Sequence, residues 1–269
     1  MPTLDMAEML AVRELSTRAK SRRRFLADRL DGEINRSLEI GALNVPTLLP
    51  TECDARFLDW FSTEDLRARH ENNSVVPPET IVPIDYVVAD TQFADVVSEK
   101  FDLLIANHVI EHIPDLIGWF DQLAQLAEPD GYLFLAVPDR RYTFDYFRPE
   151  DDAVDIVRAH LDGLQRPSRF QIAKHLYYFT DLTHKEVWAG SVPDTFTPRM
   201  SFAEALETSA SLAETYADVH CWIFTRTTFE RTIEALHTAG HIEWRIAAIE
   251  DVQVNENEFR VLMQRVDGR

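Results

Sequence analysis

Apolar positions along this chain follow two periods, and each change of period marks an element. From Leu4 to Leu30 the apolar side chains Met6, Met9, Leu10, Val12, Leu15, Phe25, Leu26 and Leu30 recur at helical spacing, which predicts one long or two short helices. Compact apolar runs follow and read as strands: SLEI (37–40), ARFLD (55–59), TIVPIDYVVA (80–89), FDLLIA (101–106) and YLFLAVP (132–138). Pro83 in the third run predicts a bulge or an edge position, because proline has no N–H to give to a ladder. Between strands, Ser62-Thr63-Glu64-Asp65 signals the start of a short helix to about His70, and residues 72–78 make a polar loop. LIGWFDQLAQLA (116–127) reads as a helix stopped by Glu128-Pro129-Asp130-Gly131. At the far end CWIFT (221–225) leads into a helix ending at Gly240, and IEWRIAAIEDV (242–252) with EFRVLMQRV (258–266) makes a final antiparallel pair.

This alternation predicts an α/β fold: a doubly wound, mostly parallel sheet with helices on both faces and a terminal antiparallel strand pair. Residues 139–219 break the alternation. They are dense in aromatic, His, Arg and Asp residues without a sixth parallel strand, and are expected to form an inserted, largely helical subdomain that shapes a substrate pocket and acts as a lid.

With 269 residues, 45% of them apolar, the chain is long enough for one such domain and its insertion. Cys53 and Cys221 show no disulfide or metal spacing, which points to a reducing, cytoplasmic setting, and no apolar run suggests a leader or a membrane span. The formal net charge of −19 repels a phosphate backbone, so long nucleic acids are poor partners. The basic run RAKSRRR (18–24) is the exception. It reads as the solvated face of a helix, or more sharply as a contact for an acidic substrate or for a second subunit in a homodimer.

Ligands in doubly wound sheets bind beyond the carboxyl ends of the strands, and the candidate residues fall there. Glu39 ends the first strand and Gly41 then permits a tight turn, although Leu43 and Val45 occupy the other two places of a Gly-x-Gly-x-Gly run and Pro46 stiffens the loop. Asp59 follows Glu39 by twenty residues, where such folds place a carboxylate that accepts both hydroxyls of a ribose. Together with FDLLIANHVIEH (101–112), these residues resemble the class I S-adenosylmethionine-dependent methyltransferases, whose first motif reads acidic-x-Gly and whose fourth strand reads FDxxxxxxVxEH. The resemblance covers about 38–137 and, by pattern, 225–266.

That resemblance implies a Rossmann-like fold with S-adenosyl-L-methionine as cofactor and S-adenosyl-L-homocysteine as product. It implies that Glu39 and Gly41 serve the cofactor's amino-acid part, Asp59 the ribose, Asp90 (with Asp85 as rival) the adenine, and Asn107 and His108 the sulfonium region. Ala42, Asn44, Trp60 and Thr91 line the same turns. The expected divisions are an N-terminal helical cover (1–36), a cofactor-binding α/β core (37–138), the inserted subdomain (139–219) and the remainder of the core (220–269).

Methyl transfer from a sulfonium needs alignment above all, and a hydroxyl acceptor also needs a base. His108 and His220 are the candidate bases, with Arg140, Tyr142, Tyr146 and Tyr178 for the acceptor pocket. Each has a plainer reading: packing histidines, core aromatics, and for Glu39 a buried strand-end acid. His108 and His112 stand four apart around Glu111, a spacing seen in paired metal ligands, but no third ligand is evident and no zinc is expected; some sugar methyltransferases use a divalent cation on carboxylates, and Asp139, Asp145, Asp151 and Asp152 leave that alternative open. The function expected is O-methylation of a small molecule or glycan sugar. A nicotinamide-dependent oxidoreductase using Asp59 is the alternative, disfavoured because Leu43 and Pro46 break the pyrophosphate-binding glycine pattern. A methyltransferase-like binding protein without catalysis is another.

Overall fold

The computed structural model describes residues 17–30, 32–89 and 91–266. Its strands are β1 (Arg36–Ile40), β2 (Asp54–Asp59), β3 (Tyr86–Val87), β4 (Phe101–Asn107), β5 (Ala127–Pro138), β6 (Trp244–Glu250) and β7 (Glu258–Arg265), in one sheet of order β3-β2-β1-β4-β5-β7-β6. The first five run parallel, whereas β7 is antiparallel to both β5 and β6. Chain order reverses between β1 and β4, so a crevice opens beyond their carboxyl ends.

Period-two burial explains the layering. Leu133, Leu135 and Val137 of β5 join one core, while Phe134 and Ala136 join the other with Leu103 and Ile105 of β4. Helix α1 (Thr17–Ala27) covers the second face through Phe25 and Leu26, and Phe25 meets Phe134 at 5.6 Å between ring centres. Helices α2 (Thr63–Arg69), α3 (Phe93–Val96) and α4 (Leu116–Leu126) follow β2, β3 and β4. Ser62 caps α2 as its sequence predicts, accepting from the Asp65 amide.

Residues 139–219 form α5 (Ala153–Leu161), α6 (Arg169–Tyr178), α7 (His184–Trp188) and α8 (Phe202–Leu212). Ile156, Ala159 and Ile172 join the same core as β5, so this segment is fused to the sheet's helical layer. Helix α9 (Arg226–Thr238) then precedes the terminal strands. No helix among the described residues is long and apolar enough to cross a membrane.

Three expectations change. The third strand shrinks to two edge residues, because ahead of it the Val82 amide goes to the Leu43 carbonyl, Ile84 gives its amide to Thr63 Oγ1, and the Asp85 side chain takes the Phe57 amide. The helix stops before 128–131 as expected, at Leu126, but these residues then form the irregular start of β5, with Asp130 at φ +61°. The basic run is only in part a solvated face: Lys20 and Arg24 are exposed, but Arg22 is buried in a two-bond pair with Glu258 (2.9 and 2.6 Å), Arg18 donates to Asn257 and lies 3.7 Å from Glu258, and Arg23 pairs with Glu52. Arg18, Arg22 and Arg23 stitch α1 to acids of their own chain.

Candidate active site

The tips of β1 and β4 carry a closed polar network. Glu39 is buried, taking the Thr47 amide on Oε2 (2.6 Å) and both Thr47 Oγ1 (3.0 Å) and Asn107 Nδ2 (2.8 Å) on Oε1. Burial pushes its carboxyl up to about 7 against the pull of those donors. Its oxygens are thus spent inside the protein, and Asn107 Oδ1 is the buried atom left without a partner. Glu39 is tied to Thr47 and to Asn107 Nδ2 within the protein.

The turn after β1 keeps the backbone of a glycine-rich loop despite its substitutions. Gly41 sits at φ +67° and Leu43, in the second glycine place, at φ +49°. A left-handed leucine is strained, and the hydrogen bond from the Val82 amide to the Leu43 carbonyl (2.9 Å) helps to hold it. A Cβ on Gly41 would lie 3.1 Å from Val109 Cγ2, so the turn is tight against the segment following β4. Ala42 is buried against Phe57 and Val82, and the Asn44 side chain turns to Thr80 and the Val75 carbonyl, into the protein.

Asp59 stands at the next strand tip with its carboxyl raised by burial and Oδ1 bonded to the Phe61 amide. Trp60 beside it is 46% exposed. Thr91 is exposed and donates to the Val88 carbonyl. Asp85 is tied to the β2 backbone and Arg56, which leaves it a structural acid. Asp90 lies outside the described residues. Asp102 takes the amides of Asn35 and Arg36 where β1 begins, a structural role.

His108 follows β4 at φ +54°, its amide bonded to Ala136 and its Nε2 2.8 Å from Glu258 Oε2. Burial would raise the Glu258 carboxyl, but His108 and Arg22 outweigh it and hold the group well below the usual range. Glu258 is therefore ionised, so Nε2 carries the proton and Nδ1 is left as acceptor.

His220 is brought to the same end by the return chain. The amides of Cys221 and Trp222 bond to the Glu111 carbonyl (2.7 and 3.2 Å) and the Trp222 indole to Ile113. His220 Nδ1 lies 2.6 Å from Asp145 Oδ2, and its ring contacts Phe144, His175 and His112. Arg148, fully buried, donates to the carbonyls of His220 and Cys221 and to Asp151. Glu111 and His112 lie in a 3-10 turn (110–112) ahead of α4, not within it.

Four residues were expected in an acceptor pocket. Arg140 donates to the Tyr146 carbonyl and to Glu150. Tyr142 stacks on Trp188 at 4.7 Å, Tyr146 meets Phe147 edge-on at 5.0 Å, and Tyr178 packs against Tyr177 and Phe196. The structure thus joins Glu39 to Asn107 directly and sets Gly41 against Val109, while Tyr142 lies in a 3-10 turn, Tyr146 in the turn after it and Tyr178 at the end of α6. Thr47, Glu111, Asp145, Arg148 and Glu258 enter from outside the sequence-based set.

A profile of the family described as "Methyltransferase domain" matches residues 14–236. No curated protein matches the chain in sequence. Among solved structures, the chain is similar to the mitomycin 7-O-methyltransferase MmcR (11% identity, 93% of this chain and 55% of that chain, TM-score 0.42). It is also similar to an S-adenosylmethionine-dependent methyltransferase from Clostridium acetobutylicum ATCC 824 (8%, 96% and 95%, 0.48). A third is the N-methyltransferase NodS of Bradyrhizobium japonicum WM9 with S-adenosyl-L-homocysteine (11%, 93% and 86%, 0.39). The fold and its polar strand tips are those of a nucleoside-cofactor enzyme. The chain belongs to the methyltransferase-domain family, in the class that takes its methyl group from S-adenosyl-L-methionine.

Proposed function

We propose that this chain transfers the methyl group of S-adenosyl-L-methionine to an oxygen of a small molecule or glycan sugar. The observation that carries the oxygen acceptor is the pair of histidines, His108 and His220, each held by a buried carboxylate at the carboxyl end of the sheet. A hydroxyl must lose a proton as it attacks, and a carboxylate-oriented imidazole is suited to take it. In this reading Asn107 Oδ1 accepts from the cofactor's ammonium, Asp59 accepts from the ribose hydroxyls, and the insertion encloses the acceptor, with Arg140, Tyr142, Tyr146 and Tyr178 contributing contacts. Closure excludes water, which would otherwise compete for the hydrogen bonds that align the nucleophile.

Calorimetry with S-adenosyl-L-homocysteine tests the cofactor half. Asp59→Ala is expected to weaken binding by about 1.5–3 kcal/mol, the range for hydrogen bonds to a charged group, without loss of fold. Equal affinity in the variant would remove the ribose assignment. Release of S-adenosyl-L-homocysteine on incubation with hydroxylated acceptors, and none with their deoxy analogues, tests the acceptor half.

The lid has its own test. Amide exchange in the free protein is expected to be faster over 139–219 than in β1 and β4, and to slow on binding cofactor with acceptor. Exchange as slow as that of the strands before any ligand is added would show a fixed wall instead.

A further inference from the structure

Behind the tip of β4, Glu111 is 1% exposed and neither of its carboxylate oxygens meets a hydrogen-bond donor among the described residues. Such a carboxylate is costly unless a cation faces it. What surrounds it is a set of imidazoles. His108 Nδ1 stands 3.7 Å and His112 Nε2 3.8 Å from Glu111 Oε1. One ligand atom from each of Glu111, His112 and His220 lies within 4.8 Å of the others.

The two histidines of this group are prepared alike. Asp145 Oδ2 lies 2.6 Å from His220 Nδ1, and Asp218 Oδ1 lies 2.8 Å from His112 Nδ1, the latter at an angle poor for a full hydrogen bond. With Nδ1 of each ring turned to its carboxylate, the Nε2 atoms remain for a ligand. A carboxylate behind each imidazole is how proteins orient histidines that bind metals.

We propose that Glu111, His112 and His220 bind one divalent cation of the zinc, manganese or cobalt type, whose open positions take an oxygen of the methyl acceptor. Two imidazoles and one carboxylate suit these ions better than magnesium or calcium, which favour oxygen donors. Three protein ligands leave coordination positions open. Two atoms each about 2.1 Å from one ion are at most about 4.2 Å apart, so the cluster closes by roughly half an ångström. The binding site stands on geometry alone, whereas the acceptor's place on the ion rests on the methyl-transfer reading above. With His220 a ligand, the proton of the acceptor falls to His108.

The test uses the full chain stripped with a chelator and titrated calorimetrically with Mn²⁺ and Zn²⁺, with S-adenosyl-L-homocysteine titrated into the same samples. One saturable equivalent of at least one ion is expected. Glu111→Gln should lower its affinity by roughly a hundredfold or more, and Asp218→Asn, at the surface, by about tenfold to a hundredfold. Circular dichroism checks each fold, and Asp218→Asn decides if Glu111→Gln does not fold. No saturable binding of either ion, or affinity unchanged in the folded variants, overturns the proposal. S-adenosyl-L-homocysteine binding without ion binding sinks the cation site and leaves methyl transfer standing; ion binding alone does the reverse.

Discussion

Arg148→Met is expected to lower the stability of the fold by about 3–5 kcal/mol, the cost of removing one partner from a buried charge cluster. Arg148 is fully buried and its guanidinium gives two hydrogen bonds to backbone carbonyls, His220 (2.7 Å) and Cys221 (2.8 Å), and one to Asp151 (3.3 Å), with Asp145 at 3.9 Å. Methionine keeps much of the volume, so the loss isolates charge and hydrogen bonding from cavity formation. Two carboxylates that are themselves buried lose a cation, although Lys174 still meets Asp151 and His220 still meets Asp145. The two carbonyls have no such substitute. Urea unfolding followed by circular dichroism measures the loss, and a change under 1 kcal/mol would mean that water or rearrangement satisfies the cluster. Because Arg148 fixes the segment that presents His220, the same variant should also weaken the histidine's contact with Asp145.

Much of the frame is legible in the sequence because it depends on local pattern. The strand runs, the Ser62 cap and the stop at Gly240 follow from periodicity and breakers over a few residues, and the tips of successive parallel strands must converge on one end. Gly41 and Asp59 are found this way. The partners of the titratable groups are not. Glu258 meets His108 across 150 residues and Asp145 meets His220 across 75, and nothing local at either site announces the pairing. Glu258 reads only as the charged start of a strand. Its register opposite Pro138 of β5 delivers it to the strand tips.

The same distinction explains Glu39 and Glu111. Both are acids next to strand-end turns, and both are buried. Glu39 finds Thr47 eight residues on, a donor that the Leu43 turn folds back onto it. Among the described residues the Glu111 side chain meets no donor, because the segment that crosses it spends its amides on the Glu111 backbone carbonyl and its carbonyls on Arg148. His220 is legible as a candidate base, but its place beside Glu111 is not, since it arrives there only through the amides of Cys221 and Trp222 bonded to the Glu111 carbonyl.

His108→Gln is expected to lower turnover by about 10²- to 10⁴-fold, the usual contribution of a positioned base, with S-adenosyl-L-homocysteine affinity little changed. The backbone of His108 is fixed by its amide bond to Ala136 and by a left-handed φ of +54° that a non-glycine residue adopts only under constraint. Glu258, held in turn by two bonds from Arg22, takes the proton-bearing Nε2 and so leaves Nδ1 to receive the acceptor's proton. Glutamine retains a donor for Glu258, so the ion pair beneath it and the docking of α1 survive, but it cannot accept a proton at neutral pH. The wild-type rate should fall toward acid pH, where a protonated imidazole cannot act as base, whereas the residual rate of the variant should lose that limb. A loss confined to KM with an unchanged pH profile would make His108 a binding residue. Wild-type turnover across pH 6 to 9 would remove it from the reaction altogether, and a methyl transfer that needs no protein base, as to an acceptor already ionised, would then follow.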